Sequence, residues 1–365
     1  MIQFVPNLNE GGVERGVVDL NREFIKKGID NIVISNGGRL VDNILEDKGK
    51  HIQFDVSSKN IFTIIPRVLK LKKILKELNP DILHVRSRVP AWLVYFANKS
   101  LNIKVVSTVH GFNSVSSYSK IMINADKIIC GSQFMIEHIK KYYQAEEKKI
   151  FLISRGMDEE YFNNLDLNED FINNLVKKYK LEDSIVLSQI ARLTHWKDQE
   201  TTIKAINLLK DEFPNIKLLL VGSYSQDRES YYSTLVNLIS ENKLEDHIIF
   251  VGFSEKIKEI LSITNINVSS SNKPETFGRA NVEGMFLGVP LVATNIGATS
   301  DYIIEGKTGF FFNPTDENDL SNKIRKMINY KFDKDSIIDF AKDNFTLNTM
   351  VEKNLYVYNE VLGNK

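Results

Sequence analysis

Glu275 and Glu283 stand eight positions apart in NKPETFGRANVEGMFLGVPLVAT, residues 272–294. The stretch reads as a loop, a helix beginning near Phe277–Gly278 and running to about Leu287, then the strand LVAT. Glu275 falls just ahead of that helix and Glu283 about two turns inside it, so the two do not share one helical face. A helix start offers unpaired backbone N–H groups and the positive end of a dipole. Gly278 leaves room there for a ligand to approach the backbone. A carboxylate on the loop can accept from sugar hydroxyls, and one further along can accept from a ribose diol. The plainer alternative keeps Glu275 as a partner of the helix dipole, about 0.3–1 kcal/mol, and Glu283 as a solvated side chain.

A second stretch, QIARLTHWKD at residues 189–198, places Arg192 and Lys197 in a strand-to-helix loop. A planar guanidinium fork and a compact ammonium suit a diphosphate; a surface basic pair is the alternative. His195, between them, reads as a loop or stacking residue. A third, NLNEGGVERG at residues 7–16, sets Gly11 and Gly12 after the first strand. This is not the G-x-G-x-x-G fingerprint, so a nicotinamide or flavin is not indicated. Gly12 opens a helix toward a ligand, or makes an ordinary turn. Finally, VVSTVHGF puts His110 at the carboxyl end of a strand, where an imidazole faces a ligand or is satisfied within the structure.

These residues need elements to position them. Short apolar runs (IQFV, NIVIS, IQFDV, DILHV, KVVSTV, KIIC, KIFLI) alternate with amphipathic segments such as 13–27 and 61–78. In the latter, Ile64, Ile65, Val68, Leu71, Ile74, Leu75 and Leu78 recur at helical spacing. The second half repeats the alternation with SIVLSQIA, KLLLVG, IIFVG, INVSSS, PLVAT and TGFFF. Such alternation predicts parallel sheets with helices on both faces. Residues 157–183, polar and rich in Asn, Asp and Glu, form the expected junction, and residues 335–362 read as helix after the final strand. The expected architecture is α/β, with two doubly wound domains facing each other across a cleft and ligands beyond the carboxyl ends of the strands.

Composition narrows the function. At 365 residues, 42% hydrophobic and 26% charged, the chain is globular and long enough for two domains. Lys plus Arg and Asp plus Glu both number 47, a balance that argues against a nucleic-acid binder. The single cysteine, Cys130, lies in an apolar strand-like run and reads as a packed thiol. No run reaches the length of a membrane span, and residues 1–5 enter a strand pattern directly, so a cytoplasmic location is expected. The acidic pair Asp333 and Asp335 is discounted as a metal site, because it falls in a polar stretch at a helix start. No P-loop and no nucleophile elbow is present.

In this order, GGVERG, ARL…WK, the glutamate pair around FG and GVPLVAT, and TGFFF resemble glycosyltransferase family four, the group 1 glycosyltransferases of the GT-B superfamily. HVRSRVPAW, ISRGMD and PETFGR are similar to a narrower bacterial, proteobacterial-type branch. The resemblance implies two Rossmann-like domains, 1–160 on the acceptor side and 161–335 for the donor, with C-terminal helices at 336–365 that could pack back on the first. It implies a retaining, metal-independent hexosyltransferase with no cofactor, using a nucleotide-diphosphate sugar, expected to be a UDP-sugar. Arg192 and Lys197 would hold the diphosphate, Glu283 the ribose, and Glu275 with the backbone N–H groups of Phe277, Gly278 and Arg279 the sugar. Gly12 would approach the phosphates and His110 the sugar or acceptor. SQIARL departs from the family in carrying Ser188 and Gln189 where a glycine is usual, and Asn281 and Gly284 replace small alanine-like residues. Arg86, Arg88 and Arg155 are cations beyond the family pattern, expected in the cleft or in structural salt bridges.

The segment PRVLKLKKILKEL, residues 66–78, carries Arg67, Lys70, Lys72, Lys73 and Lys76. A solvated charged face explains it; so does peripheral contact with an anionic inner membrane and a glycolipid or lipopolysaccharide acceptor. A nucleotide-sugar epimerase of the same architecture, or a degenerate binding protein, are the competing functions.

Overall fold

A computed structural model of the chain describes residues 1–9, 11–163, 166–224 and 229–363; Glu10 of the glycine-pair loop and residues 164–165 of the expected junction lie outside them. The chain divides into two compact units, Met1–Gly156 with Phe345–Lys365, and Met157–Asn344. Each is built on its own parallel sheet.

The first unit holds β1 (Ile2–Phe4), β2 (Ile32–Ser35), β3 (Lys50–Gln53), β4 (Ile82–Val85), β5 (Lys104–Val109), β6 (Lys127–Cys130) and β7 (Ile150–Leu152) in the order β3-β2-β1-β4-β5-β6-β7. All neighbouring pairs run parallel. The side-chain period of two splits the sheet between two cores. Leu83 and Val85 join Ile2, Phe4, Leu71 and Leu75 on one face. Ile82, Val106 and Ile129 join Leu20, Phe24, Val351 and Val357 on the other. Cys130 is fully buried, and that burial pushes its thiol pKa up to about 12. It is a packed thiol.

The second unit holds β8 (Ile185–Ile190), β9 (Ile216–Val221), β10 (Ile248–Gly252), β11 (Ile266–Ser269), β12 (Leu291–Thr294) and β13 (Gly309–Phe312), ordered β10-β9-β8-β11-β12-β13 and again parallel. Both sheets reverse their direction of winding once, between β1 and β4 and between β8 and β11. Those two reversals are the topological switch points of doubly wound sheets. The loops after them carry Gly12 and Arg86 in one unit, and Arg192, Lys197 and Glu275 in the other.

The expected α/β class with two parallel sheets is therefore correct, and three details differ. The strand expected at IQFDV lies earlier, at Lys50–Gln53, while Phe54 and Val56 bury their side chains from the following loop. The helix Ile64–Leu78 packs through Ile64, Val68, Leu71, Ile74 and Leu75, but Ile65 and Leu78 point to solvent, 69% and 37% exposed. Ile65 sits 100° around the helix from Ile64, off the packed stripe, whereas Leu78 lies on the stripe but is the helix's last residue. The segment 335–362 is two helices, Lys334–Phe345 and Leu347–Leu362, separated at Thr346, whose hydroxyl accepts from Thr349 N and caps the second. Asp333 caps the first, accepting from the backbone of Asp335 and Ser336.

The last helix joins the first unit through Leu347, Met350, Val351 and Tyr358. Gly156 lies so close to it that a Cβ there would sit 2.5 Å from Leu347 Cα and 2.6 Å from the Thr346 carbonyl. Backbone cannot yield as a flexible side chain does. We expect Gly156→Ala to destabilise the chain by about 1–3 kcal/mol, the usual cost of overpacking, measured by urea denaturation; an unchanged midpoint would mean that the last helix is not held at this joint.

Candidate functional site

In the second unit two loops are tied to each other beyond the switch point. The Gln189 amide donates to the Lys197 carbonyl (2.8 Å) and to Ser270 Oγ (2.8 Å). The Ser270 hydroxyl in turn reaches the carbonyls of Lys197 and Asp198 at 2.9 and 2.8 Å. Asn272 donates its backbone N–H to the Trp196 carbonyl (2.9 Å) and its side-chain amide to that of His195 (2.9 Å). Asp198, in the left-handed region, ends the loop by capping the helix Gln199–Leu209. Buried polar atoms that satisfy one another this way hold a loop in one conformation.

On this support Lys197 Nζ lies 2.6 Å from Glu275 Oε2, both side chains largely shielded from water. The other carboxylate oxygen accepts from the Ser271 hydroxyl. Glu275 is also held by its backbone, whose carbonyl accepts from Ala298 N at 2.9 Å. Gly297 permits that approach: it has φ +79°, and a Cβ would press on the Glu275 backbone. Arg192, two residues past β8, is exposed. With Thr194, His195, Trp196, Tyr231, Asn272 and Lys273 it borders an open cavity of about 610 Å³. The His195 ring lies tilted against that of Tyr231, with centroids 4.2 Å apart.

The helix Arg279–Phe286 starts at Gly278, whose φ of +74° is left-handed and whose missing Cβ would lie 2.5 Å from the Tyr302 hydroxyl. No side chain caps this start. Phe277 buries its ring just before it. Glu283 is only 8% exposed, so it is not the solvated residue of the plainer reading. It accepts from Arg279 Nε at 2.7 Å, one turn back. Burial raises the Glu283 pKa, and Arg279 offsets part of the rise.

In the first unit the sheet carries a separate set of polar groups. Arg86 follows β4 and is 5% exposed; its Nε and Nη2 donate to Gln3 Oε1 at 3.0 and 2.7 Å. His84 is wedged between the Tyr358 hydroxyl (2.6 Å) and Thr108 Oγ1 (2.7 Å). His110 follows β5, and its Nε2 is sealed from solvent without a hydrogen-bond partner. Burial first, then Arg155 and Arg86, hold the His110 pKa well below the usual histidine value, so the ring is neutral. Burial and the neighbouring Arg155 likewise lower Arg86, to about 10, against an upward pull from Tyr358. Arg88 does not join them: its Nη1 donates to Ser119 Oγ (3.0 Å) and its guanidinium lies 5.5 Å over the Tyr118 ring.

Two sequence families meet in this chain. The profile of the glycosyl transferases group 1 matches residues 171–343, and that of Glycosyltransferase Family 4 matches residues 10–161. The chain belongs to this family. It is a glycosyltransferase of the GT-B fold. A glycosyltransferase from Rickettsia africae ESF-5 superposes with TM-score 0.90 at 31% identity, covering 100% of this chain and 98% of that one. HepE (Alr3699) from Anabaena, solved with UDP, superposes at 0.84 and 20% identity over 98% and 99% of the two chains. Among curated proteins, the N-acetyl-alpha-D-glucosaminyl L-malate synthase of Bacillus anthracis is 25% identical over 71% of this chain and 68% of its own.

Of the residues singled out from the sequence of this glycosyltransferase, the structure brings Lys197 directly onto Glu275 and Arg279 onto Glu283. Arg192 shares the Lys197 loop but lines the cavity beside it. In the first unit the Arg155 guanidinium lies against Gly12, and Arg155 and Arg86 both act on His110. The sequence reading missed Ser271, Gln189, Ser270, His84 and Tyr358. Gln189 and His84 did leave a signal, each being a polar residue inside an otherwise apolar strand run.

A glutamate with a raised folded pKa binds its proton more tightly in the folded chain than in the unfolded one. Its contribution to stability is present at low pH and lost as pH rises from the ordinary glutamate value to the raised one. Glu283→Gln should therefore raise the Tm at pH 7 and leave it unchanged below about pH 4. A scan of Tm against pH for both proteins decides it; a lower Tm at pH 7 would show that the Arg279 pair outweighs the cost of burial.

Proposed function

We propose that this glycosyltransferase moves a sugar from a UDP-sugar to a glycan or glycolipid acceptor with retention of anomeric configuration. The observation that carries the reading is the Lys197–Glu275 pair, held rigidly beside Arg192. The pair is neutral as a unit, and donor binding divides it. Lys197 turns to the diphosphate, where Arg192 supplies the second cation through its planar fork. Glu275, released, accepts from hydroxyls of the transferring sugar, and Glu283 accepts from the ribose diol. The uncapped N–H groups at Gly278 and Arg279 face the same negative charge.

In the transfer, the bond from the sugar's anomeric carbon to the diphosphate oxygen breaks and its electron pair leaves with the nucleotide. The acceptor hydroxyl forms the new bond on the same face, and its proton passes to the departing phosphate oxygen. Charge grows on that phosphate as the bond breaks, so fixed cations stabilise the transition state more than the ground state. The UDP assignment is supported by the fold shared with HepE, solved with UDP-glucose. The acceptor class is supported by similarity to CapM, a capsular polysaccharide biosynthesis glycosyltransferase of Staphylococcus aureus that is 26% identical over 86% of this chain. The shared fold of WaaB, a lipopolysaccharide outer core galactosyltransferase, points the same way.

A surface feature supports acceptors that reside in a membrane. Ile61, Phe62, Ile65 and Leu69 are exposed by 72%, 87%, 69% and 62% along one side of the segment 61–78. Exposed Lys59, Lys70, Lys73 and Lys76 border them. Apolar side chains rimmed by lysines match an anionic lipid surface, where each cation contributes about 1 kcal/mol. Among the described residues no helix is long and apolar enough to cross a membrane.

Three measurements test these assignments. In a thermal-shift titration UDP should raise the Tm, and Arg192→Ala should weaken its binding about ten- to a hundredfold. Glu275→Gln should leave UDP affinity nearly intact yet lower kcat/KM with the UDP-sugar by about a hundredfold or more. No shift with UDP, or equal small effects from both variants, would sink the division of labour. For the membrane, flotation with phosphatidylglycerol vesicles should recover the protein at low salt, and the double variant Phe62→Ser, Leu69→Ser should stay in solution. Absence of binding by the parent protein at every salt concentration would remove membrane contact from the reading.

A further inference from the structure

The second sheet carries a separate core on each face, because its side chains alternate. On one face Leu187 and Leu218 join Ile203 and Leu235, from the helices Gln199–Leu209 and Glu229–Glu241. On the other, Val186 and Leu219 join Leu175 and Ile260, from the helices Glu169–Tyr179 and Ile257–Ser262. The helix Arg279–Phe286, which carries Glu283, packs against Ile257–Ser262 and so belongs to this second face. Tyr231 borders the open cavity of about 610 Å³ and belongs to the first core. Arg192, Lys197 and Glu275 come from the loops at the strand ends between the two faces.

A nucleotide-sugar is a linear molecule of nucleoside, diphosphate and sugar. The donor reading above sets the ribose at Glu283 and the diphosphate at Arg192 and Lys197. A donor laid in that direction crosses the strand ends and brings its sugar past Glu275 to the cavity. The loops are knitted together at that point. Trp196 and Lys273 border the cavity, and their near neighbours Lys197 and Glu275 form the ion pair. Lys197 Nζ lies 5.5 Å from the Trp196 ring, and Asn272 N donates to the Trp196 carbonyl at 2.9 Å. The cavity volume is that of a small-ligand site.

Its chemistry is one-sided. No described carboxylate lines it. The nearby acids are engaged: Asp198 caps its own helix, Glu200 lies 3.8 Å from His195 Nδ1, and Glu275 holds Lys197. Lys273 is exposed at the rim and forms no salt bridge with a described residue. Thr194, also at the border, has a buried hydroxyl without a hydrogen-bond partner. Trp196 is 39% exposed, a flat apolar ring beside these polar groups. An indole suits the C–H face of a sugar ring, and an unpaired ammonium suits an anion carried on that ring.

We infer that this cavity receives the transferring sugar and that Lys273 answers a carboxylate on it, so the donor is a UDP-linked uronic acid. The inference rests on the donor reading above, which commits Arg192 and Lys197 to the diphosphate and leaves Lys273 for the sugar. Trp196 packs on the sugar ring, and the Thr194 hydroxyl meets one of its hydroxyls. A neutral hexose would leave the ammonium with water alone.

The test is calorimetric titration of the full chain with UDP, UDP-glucose, UDP-galactose, UDP-glucuronate and UDP-galacturonate. At least one acid should bind about ten- to a hundredfold more tightly than its neutral counterpart, the gain expected from one hydrogen bond to a charged group. Lys273→Met should abolish that preference, and Lys273→Arg should keep most of it. Trp196→Ala should weaken acidic and neutral sugars alike. UDP, which carries no sugar, should bind the parent and all three variants equally, which also reports that the fold is intact. Equal affinity for each acid and its neutral counterpart in the parent would overturn the inference while leaving the donor reading in place. A preference that survives in Lys273→Met would overturn it too, by giving the carboxylate to another group. Failure of UDP itself to bind would remove the donor reading, and this inference with it.

Discussion

Everything at the second unit's site depends on one constraint: a lysine and a glutamate removed from water must stay together. Lys197 and Glu275 come from loops after β8 and β11, strands that are neighbours in the sheet and 75 residues or more apart in the chain. Losing one partner would leave an uncompensated charge, which is why so much neutral hydrogen bonding is spent on the two loops. Gln189, Ser270 and Asn272 touch no charge themselves. They remove the freedom by which the pair would separate and hydrate. The result is a pair of loops held in one conformation.

The first unit solves the same problem differently. At its switch point Arg86 leans on neutral groups, Gln3 and His84, and His84 in turn on Tyr358. One unit therefore holds its buried charges as an ion pair, and the other holds a buried guanidinium on neutral acceptors. An ion pair tolerates the absence of ligand and yields to one that satisfies both halves.

The apolar framework serves both arrangements. Parallel strands buried on both faces leave only their ends for chemistry, and in each sheet the reversal of winding opens the place where two such ends diverge. The last helix seals the outer face of the first sheet through Val351, Val357 and Tyr358. Tyr358 also bonds His84, so a residue near the chain's end steadies the strand that ends in Arg86. A buried imidazole with both nitrogens occupied, as in His84, is a structural part of the sheet.

Periodicity and local chemistry were enough to reveal the two parallel sheets, the loops after their strands, and the charged residues on those loops. These depend on interactions between near neighbours in the chain: alternating apolar runs, a glycine whose φ is positive at Gly278, polar residues where a helix begins. Helix rotation was less legible, because seven apolar residues between Ile64 and Leu78 cover more than one face and only packing against the sheet decides which are used. Ile65 lost that choice. Nothing in the linear order says that Glu275 meets Lys197, that Glu283 is buried, that Arg88 turns aside to Ser119, or that Gly12 makes room for Arg155. Those are facts of strand order and burial. A side chain's charge is written in its sequence, but its partner and its exposure to water, which set what that charge can do, belong to the tertiary structure alone.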